Sequence, residues 1–312
     1  SKKIYKFVNT HNDYIFLADF GTEDIFPYNY LIKICKTKKI KLIAYNHGMT
    51  IFLNKDPIKT LKPKFSKKFT DLLNTFLHAR YNRQLFYQKY TVGIEQKIHF
   101  ESNMYKNFRN TKLITEIGLP RFTYEWNNKF EAFHNKILTK VAKDNKKISV
   151  CIFLSNEKFS VDKKKLLQLL ERIQDLKNIE LIISPHPRSG MSSLTKNKFQ
   201  KNITSDTARI LTKKIDVGII YGTSIAHHLL INKVPFIIPQ YIDSNTHLYT
   251  KYNVCYTAKT ENDLLYYLMN FSNDKYFSKE MYNNIDKFIN YFIYGNRSYM
   301  DLMNKYYKEL TS

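Results

Sequence analysis

Short apolar runs alternate with amphipathic stretches along most of the chain. Residues 13–18 (DYIFLA) form a strand-length apolar run closed by Gly21, residues 28–38 carry apolar side chains at helical spacing, and residues 40–45 (IKLIAY) are a second strand ending at Asn46-His47-Gly48. A lysine-rich stretch, 54–68, is broken by Pro57 and Pro63 and reads as a loop. Beyond it the pattern predicts a helix over 69–89, a short strand over 90–94, a helix over 102–108 and a strand over 113–118. The second half alternates more cleanly. Strands are predicted over 147–154, 180–184, 216–220, 235–238 and 254–256, with helices over 163–177, 206–213 and 225–231. From Asp263 onward the chain reads as mostly helical.

Strands separated by helices of about 10–15 residues predict parallel sheets with crossover helices. Two such runs meet near residues 125–146. The expected fold is therefore α/β, with two doubly wound, Rossmann-like domains facing each other, over 1–140 and 141–275. Residues 276–312 supply C-terminal helices, for which packing back on the first domain is one option.

Composition narrows this picture. With 312 residues and 43% hydrophobic side chains, the chain has ample material for packed cores. No run reaches the roughly 18 apolar residues that a membrane-spanning helix needs. Cys35, Cys151 and Cys255 lie far apart in or beside apolar runs. That spacing fits reduced, buried thiols in a cytosolic protein and offers no CxxC metal site or disulfide framework. No signal-peptide pattern is visible.

The formal charge of +23 comes almost wholly from lysine, with eight arginines among 50 basic residues. It reads either as a solvated lysine coat or as a surface that attracts polyanions. Nucleic-acid recognition would lean on arginine forks and a recognisable module; neither is present, so no nucleic-acid partner is expected.

Glycine is scarce, eight in the whole chain, so each is expected to hold a backbone task. Five (Gly48, Gly118, Gly190, Gly218 and Gly222) lie at the ends of predicted strands or inside one. In open parallel sheets, ligands bind outside the carboxyl ends of the strands. Four such ends carry unusual polar groups: His47-Gly48, Gly118-Leu119-Pro120-Arg121, His186-Pro187-Arg188-Ser189-Gly190 and Gly222-Thr223-Ser224.

Pro187 holds His186 on a stiff turn, and an imidazole beside the Arg188 guanidinium suits phosphate oxygens. The plainer alternative is a turn histidine that caps a neighbouring loop. Gly222-Thr223-Ser224 precedes a predicted helix, where N–H groups and hydroxyls suit an anion or simply cap the helix. His47, at a strand tip, is a candidate general base or a structural histidine. His227 and His228 point about 100° apart on a helix and do not readily share one metal. HExxH, clustered Cys/His and DxD pairs are absent, so no metal site is expected. GxSxG, GxGxxG and GxxxxGK[ST] are absent too, which disfavours a dehydrogenase or P-loop NTPase.

The order His47-Gly48, Gly118-Leu119-Pro120-Arg121, His186-Pro187-Arg188, a Ser/Thr turn and Leu229-Leu230-Ile231-Asn232-Lys233-Val234-Pro235 resembles the CDP-glycerol glycerophosphotransferases of teichoic-acid and capsule synthesis. More loosely it is similar to the bacterial capsule transferases that use CMP-activated Kdo or sialic acid. The resemblance touches residues 40–240 and implies a GT-B arrangement, two Rossmann-like domains with the active site in the cleft between them.

Carried over by position, the resemblance implies His47 as the base for an acceptor hydroxyl on an acceptor-binding first domain. It implies His186 and Arg188 at the donor phosphates, with Gly222, Thr223 and Ser224 as further donor ligands. Arg121 would orient a loop or an acidic acceptor. The glycerophosphotransferase pattern usually has acidic residues where this chain has Tyr221-Gly222 and His228. Capsule Kdo transferases often hold the ribose with a glutamate on that helix, where His227 or His228 stands instead; His228 is carried as a donor-binding residue.

The implied activity is a metal-independent glycosyl or polyol-phosphate transfer. It needs no cofactor beyond a CMP- or CDP-linked donor as substrate. The expected acceptor is a cell-surface polysaccharide or lipid-linked saccharide. The expected location is cytoplasmic, with an anionic inner-membrane surface as a further candidate partner. The alternative from another class is a non-catalytic polyanion-binding protein on a degenerate GT-B scaffold.

Overall fold

The computed structural model describes residues 6, 10, 16–19, 28–45, 53, 89–92, 114–134, 147–155, 161–186, 193–243, 245–271 and 278–311. The loop expected at 54–68, the helix at 102–108 and nearly all of the helix at 69–89 lie outside them. So do His47, Gly48, Arg188 and Gly190.

The chain divides into two compact units. Unit 1 comprises Ser1–Thr50, Leu61–Thr123 and Asn290–Ser312; unit 2 comprises Ile51–Thr60 and Tyr124–Ile289. Unit 1 carries a four-stranded sheet of β1 (Phe16–Asp19), β2 (Leu42–Tyr45), β3 (Lys89–Val92) and β4 (Ile114–Glu116), in that spatial order. All neighbours are parallel, with Ala18, Ala44, Tyr90 and Ile114 in one row. Helix α1 (Tyr28–Thr37) makes the first crossover and buries Ile32, Ile34 and Cys35, while Ile40, Leu42 and Ile43 are buried in the chain that follows.

The C-terminal segment belongs to the same unit. A π-helical turn, Ile289–Ile293, leads towards α10 (Tyr299–Thr311; intervening helices are given below), and the Leu119 N–H donates to the Ile293 carbonyl at 2.8 Å. Gly118 has φ +112°, and a Cβ there would lie 2.7 Å from that carbonyl oxygen. Glycine is the residue that permits both the backbone angle and the close passage.

Unit 2 opens with α2 (Tyr124–His134), a helix where the sequence suggested only a junction. Its sheet contains β5 (Ile148–Phe153), β6 (Ile179–Ser184), β7 (Val217–Ile220), β8 (Phe236–Pro239) and β9 (Tyr256–Ala258), in the spatial order β6-β5-β7-β8-β9. Every pairing is parallel. Strands covered on both faces read as continuous apolar runs, and β7 and β8 are buried at every position.

The connecting helices are α3 (Lys163–Gln174), α4 (Ser193–Lys198), α5 (Ala208–Leu211), α6 (Ala226–Ile231), α7 (Leu248–Lys251) and α8 (Glu261–Asn270), followed by α9 (Lys279–Phe288). Asp162 caps α3 by accepting from the N–H groups of Lys164 and Lys165, and Leu169, Leu170 and Ile173 turn inward. Thr260 and Asp263 form a reciprocal capping box on α8. Gly218 lets α6 lie directly on β7, since a Cβ there would meet Leu229 Cδ1 at 2.8 Å and Phe236 Cβ at 3.3 Å.

Candidate functional site

In unit 2 the chain starts at β5, adds β6 on one side, then returns to add β7 on the other. Such an order places a crevice outside the carboxyl ends of β5 and β7, where successive connections leave in opposite directions. The register is fixed at the opposite end. The Asp216 carboxylate accepts from the Ser149 N–H at 2.9 Å and from its hydroxyl at 2.8 Å, while the Asp216 N–H donates to the Ser149 carbonyl.

From that staple the strands run in step to the row Ser184–Phe153–Ile220. Two residues further on stand His186, Ser155 and Gly222, one after each strand. The strand that leads to Ser155 lies between the two that lead to the others. His186 is half-buried, and Ser155 is 4% exposed.

Gly222 takes φ +61°, turning the chain sharply after β7. The Thr223 hydroxyl accepts from the Ile225 N–H at 3.4 Å, and the Ser224 carbonyl accepts from the His227 N–H at 3.2 Å. Among the described residues, none accepts from the N–H groups of Thr223 and Ser224. The helix that follows, α6, has only six residues, all buried, and Ile225 stands at its cap with no side-chain cap bond. The turn itself, with two half-buried hydroxyls, offers the polar groups here; the short helix adds little dipole.

The two histidines of α6 face inward. His227 is fully buried, its Nδ1 lying 2.9 Å from the Ser224 carbonyl and 3.2 Å from the Tyr249 hydroxyl. His228, expected at the donor, is 6% exposed. Burial pushes the Tyr249 phenol well above its ordinary value, so it acts as a neutral hydrogen-bonding group.

The carboxyl end of β8 carries a cluster that the sequence did not single out. Asp243 and His247, each 1% exposed, meet at 2.8 Å through Oδ2 and Nε2. Asp243 Oδ1 accepts from both the backbone N–H and the side-chain amide of Asn245, at 3.0 and 2.5 Å. The available signal was an Asp-x-Asn-x-His spacing just after a strand. Its evident task is to shape the loop between β8 and α7.

In unit 1, Arg121 lies in a 3₁₀ turn (Pro120–Phe122) after β4, half-buried with its guanidinium 5.1 Å from the Phe122 ring centre. His47 follows the end of β2 by two residues, outside the described residues, as does Arg188 beyond His186. The structure thus brings His186 and Gly222–Ser224 to the ends of the two strands that flank β5, whose own end carries Ser155. Among the described residues, no group of three His, Cys, Asp or Glu side chains is placed to hold a metal ion.

No protein-family model matches the chain, and no curated protein matches it in sequence. Solved structures do match in fold. A variant of the wall teichoic acid polymerase TagF superposes with a TM-score of 0.53 at 15% identity, covering 99% of this chain and 85% of that one. The same TagF variant soaked with CDPG gives 0.51 at 14% identity, over 99% and 84%. The S. aureus MnaA–UDP structure gives 0.54 at 10% identity, over 99% and 80%. A putative UDP-N-acetylglucosamine 2-epimerase from Listeria monocytogenes gives 0.54 at 10% identity, over 92% and 72%. The fold is GT-B, as the resemblance implied.

Proposed function

We propose that this chain is a metal-independent transferase that moves a glycosyl or polyol-phosphate unit from a cytidine-activated donor to a hydroxyl of a surface polysaccharide or lipid-linked acceptor. The observation that carries the reading is the row of polar groups after β6, β5 and β7. It stands where a doubly wound sheet of this fold receives its ligand. Fold neighbours solved with CDPG and with UDP support a nucleotide-linked donor.

In this reading His47 takes the proton of the acceptor hydroxyl as its oxygen forms the new bond. The bond between the transferred unit and the nucleotide phosphate oxygen breaks, and its electron pair leaves with the nucleotide. Negative charge therefore grows on that phosphate. In this reading His186, Arg188, Thr223 and Ser224 would meet that charge, and fixed donors at a site of developing charge lower the barrier. Arg121 orients an acidic acceptor. The net charge of +23 suits such an acceptor or an anionic membrane face. Among the described residues no helix is long and apolar enough to cross a membrane.

The test is a melting-temperature panel with CMP, CDP, UDP, GDP and ADP, with and without magnesium. A ligand that binds only the folded state raises the midpoint by mass action. The expected result is a shift with CMP or CDP that ignores magnesium and is lost in His186→Ala. With the donor in hand, His47→Ala and His186→Ala should lose turnover while melting like the parent chain. A shift with UDP or GDP alone discards the cytidine donor, and no shift with any nucleotide discards the transferase.

A further inference from the structure

The hydroxyl of Ser155 is buried and has no hydrogen-bond partner among the described residues. Three other buried hydroxyls among the described residues are satisfied locally, while that of Tyr241, like that of Ser155, has no hydrogen-bond partner among them. Ser149, at the far end of the same strand, donates to Asp216; Thr123 donates to the Pro120 carbonyl at 2.8 Å, and Thr212 to the Arg209 carbonyl at 2.7 Å. A hydroxyl taken from water without a partner is a cost that folding alone does not return.

Its place explains it. Ser155 follows the central strand of the row, with His186 after one neighbour and Gly222 after the other. Both flanking groups suit an anion: an imidazole on one side, and on the other a turn whose Thr223 and Ser224 N–H groups have no acceptor among the described residues. A serine hydroxyl adds a donor between them without adding charge.

We propose that Ser155 is a binding residue for the nucleotide donor, its Oγ–H donating to a phosphate oxygen. The inference rests on the donor reading above and adds a residue that neither motif nor charge pointed to. The Ser155 hydroxyl is an unspent donor, and phosphate completes it.

The experiment uses the full chain and its Ser155→Ala variant, titrated with CDP and with cytidine, and melted without ligand. The variant should bind CDP about tenfold more weakly, as expected for a lost hydrogen bond to a charged group. Its affinity for cytidine should be unchanged, and its ligand-free melting temperature equal to or above that of the parent. Unchanged CDP affinity overturns the proposal, as does a lowered melting temperature with CDP affinity intact, the mark of a satisfied structural hydroxyl. Equal losses for CDP and cytidine overturn it as well, since the hydroxyl would then read the nucleoside. A parent chain that binds neither CDP nor any other nucleotide sinks the donor reading itself. A parent that binds CDP, beside a variant that binds it equally well, sinks only the role of Ser155.

Discussion

The Nδ1 atom of His227 lies 2.9 Å from the carbonyl oxygen of Ser224. A carbonyl can only accept, so Nδ1 carries the proton, and the Tyr249 oxygen 3.2 Å away shares that donor as an acceptor. A fully buried imidazole thus holds the last residue of the turn after β7 against the core. The turn that offers Thr223 and Ser224 is fixed from below by a side chain that itself faces away from solvent.

Replacing His227 with phenylalanine keeps the ring and removes this bond. The loss should be about 1–3 kcal/mol of unfolding free energy, read as a lower urea midpoint. CDP affinity should fall with it, because the turn is no longer held. A variant with parental stability and affinity would show that the Ser224 carbonyl is held well enough by the His227 N–H alone.

Two glycines should respond unequally to alanine. At Gly218 the new methyl would press on Leu229 Cδ1 at 2.8 Å, in a core where Leu229 is wholly buried; about 1–3 kcal/mol is expected for overpacking. At Gly118 it would meet a backbone oxygen at 2.7 Å and also impose φ +112° on a residue with a Cβ. Strain and clash act together there, so the loss should exceed that at Gly218. Denaturation of the two variants side by side checks the order.

The thiols set an alkaline limit. Burial pushes Cys35 from 9.0 to about 11 and Cys255 from 9.0 to about 12, and pushes Cys151 up as well. The folded chain then holds these protons more tightly than the unfolded chain. Their contribution is whole below about pH 9 and is lost as pH rises through the folded values, by up to about 1.4 kcal/mol per pH unit per thiol. Urea midpoints measured from pH 7 to 10.5 should be flat at first and then fall. In the native state at pH 8, all three thiols should resist a thiol reagent that labels them in urea.

Most strands were legible because strands covered on both faces must be apolar throughout, and runs such as Val217–Ile220 allow little else. The sequence-predicted helix at 163–177 was legible for a similar reason, since its inward face repeats at helical spacing. Helix α2 was missed: its run of Trp126, Asn127, Asn128 and Lys129 lacks a regular apolar stripe. Helices α4 and α7, of six and four residues, were missed as well. At the site, the residue types of His186 and Gly222-Thr223-Ser224 announced themselves through Pro187 and a rare glycine. Ser155 had no such mark, and His228 gave no sign that its ring would be buried.

The sequence alone determined two parallel α/β units and the strand ends at which polar chemistry gathers, because local hydrophobic period and glycine placement are properties of short segments. Tertiary structure decided the order β6-β5-β7, which of two adjacent histidines holds the Ser224 carbonyl, and the row His186–Ser155–Gly222. Those depend on register between strands up to 70 residues apart, set by pairs such as Ser149 and Asp216. No local pattern contains that information.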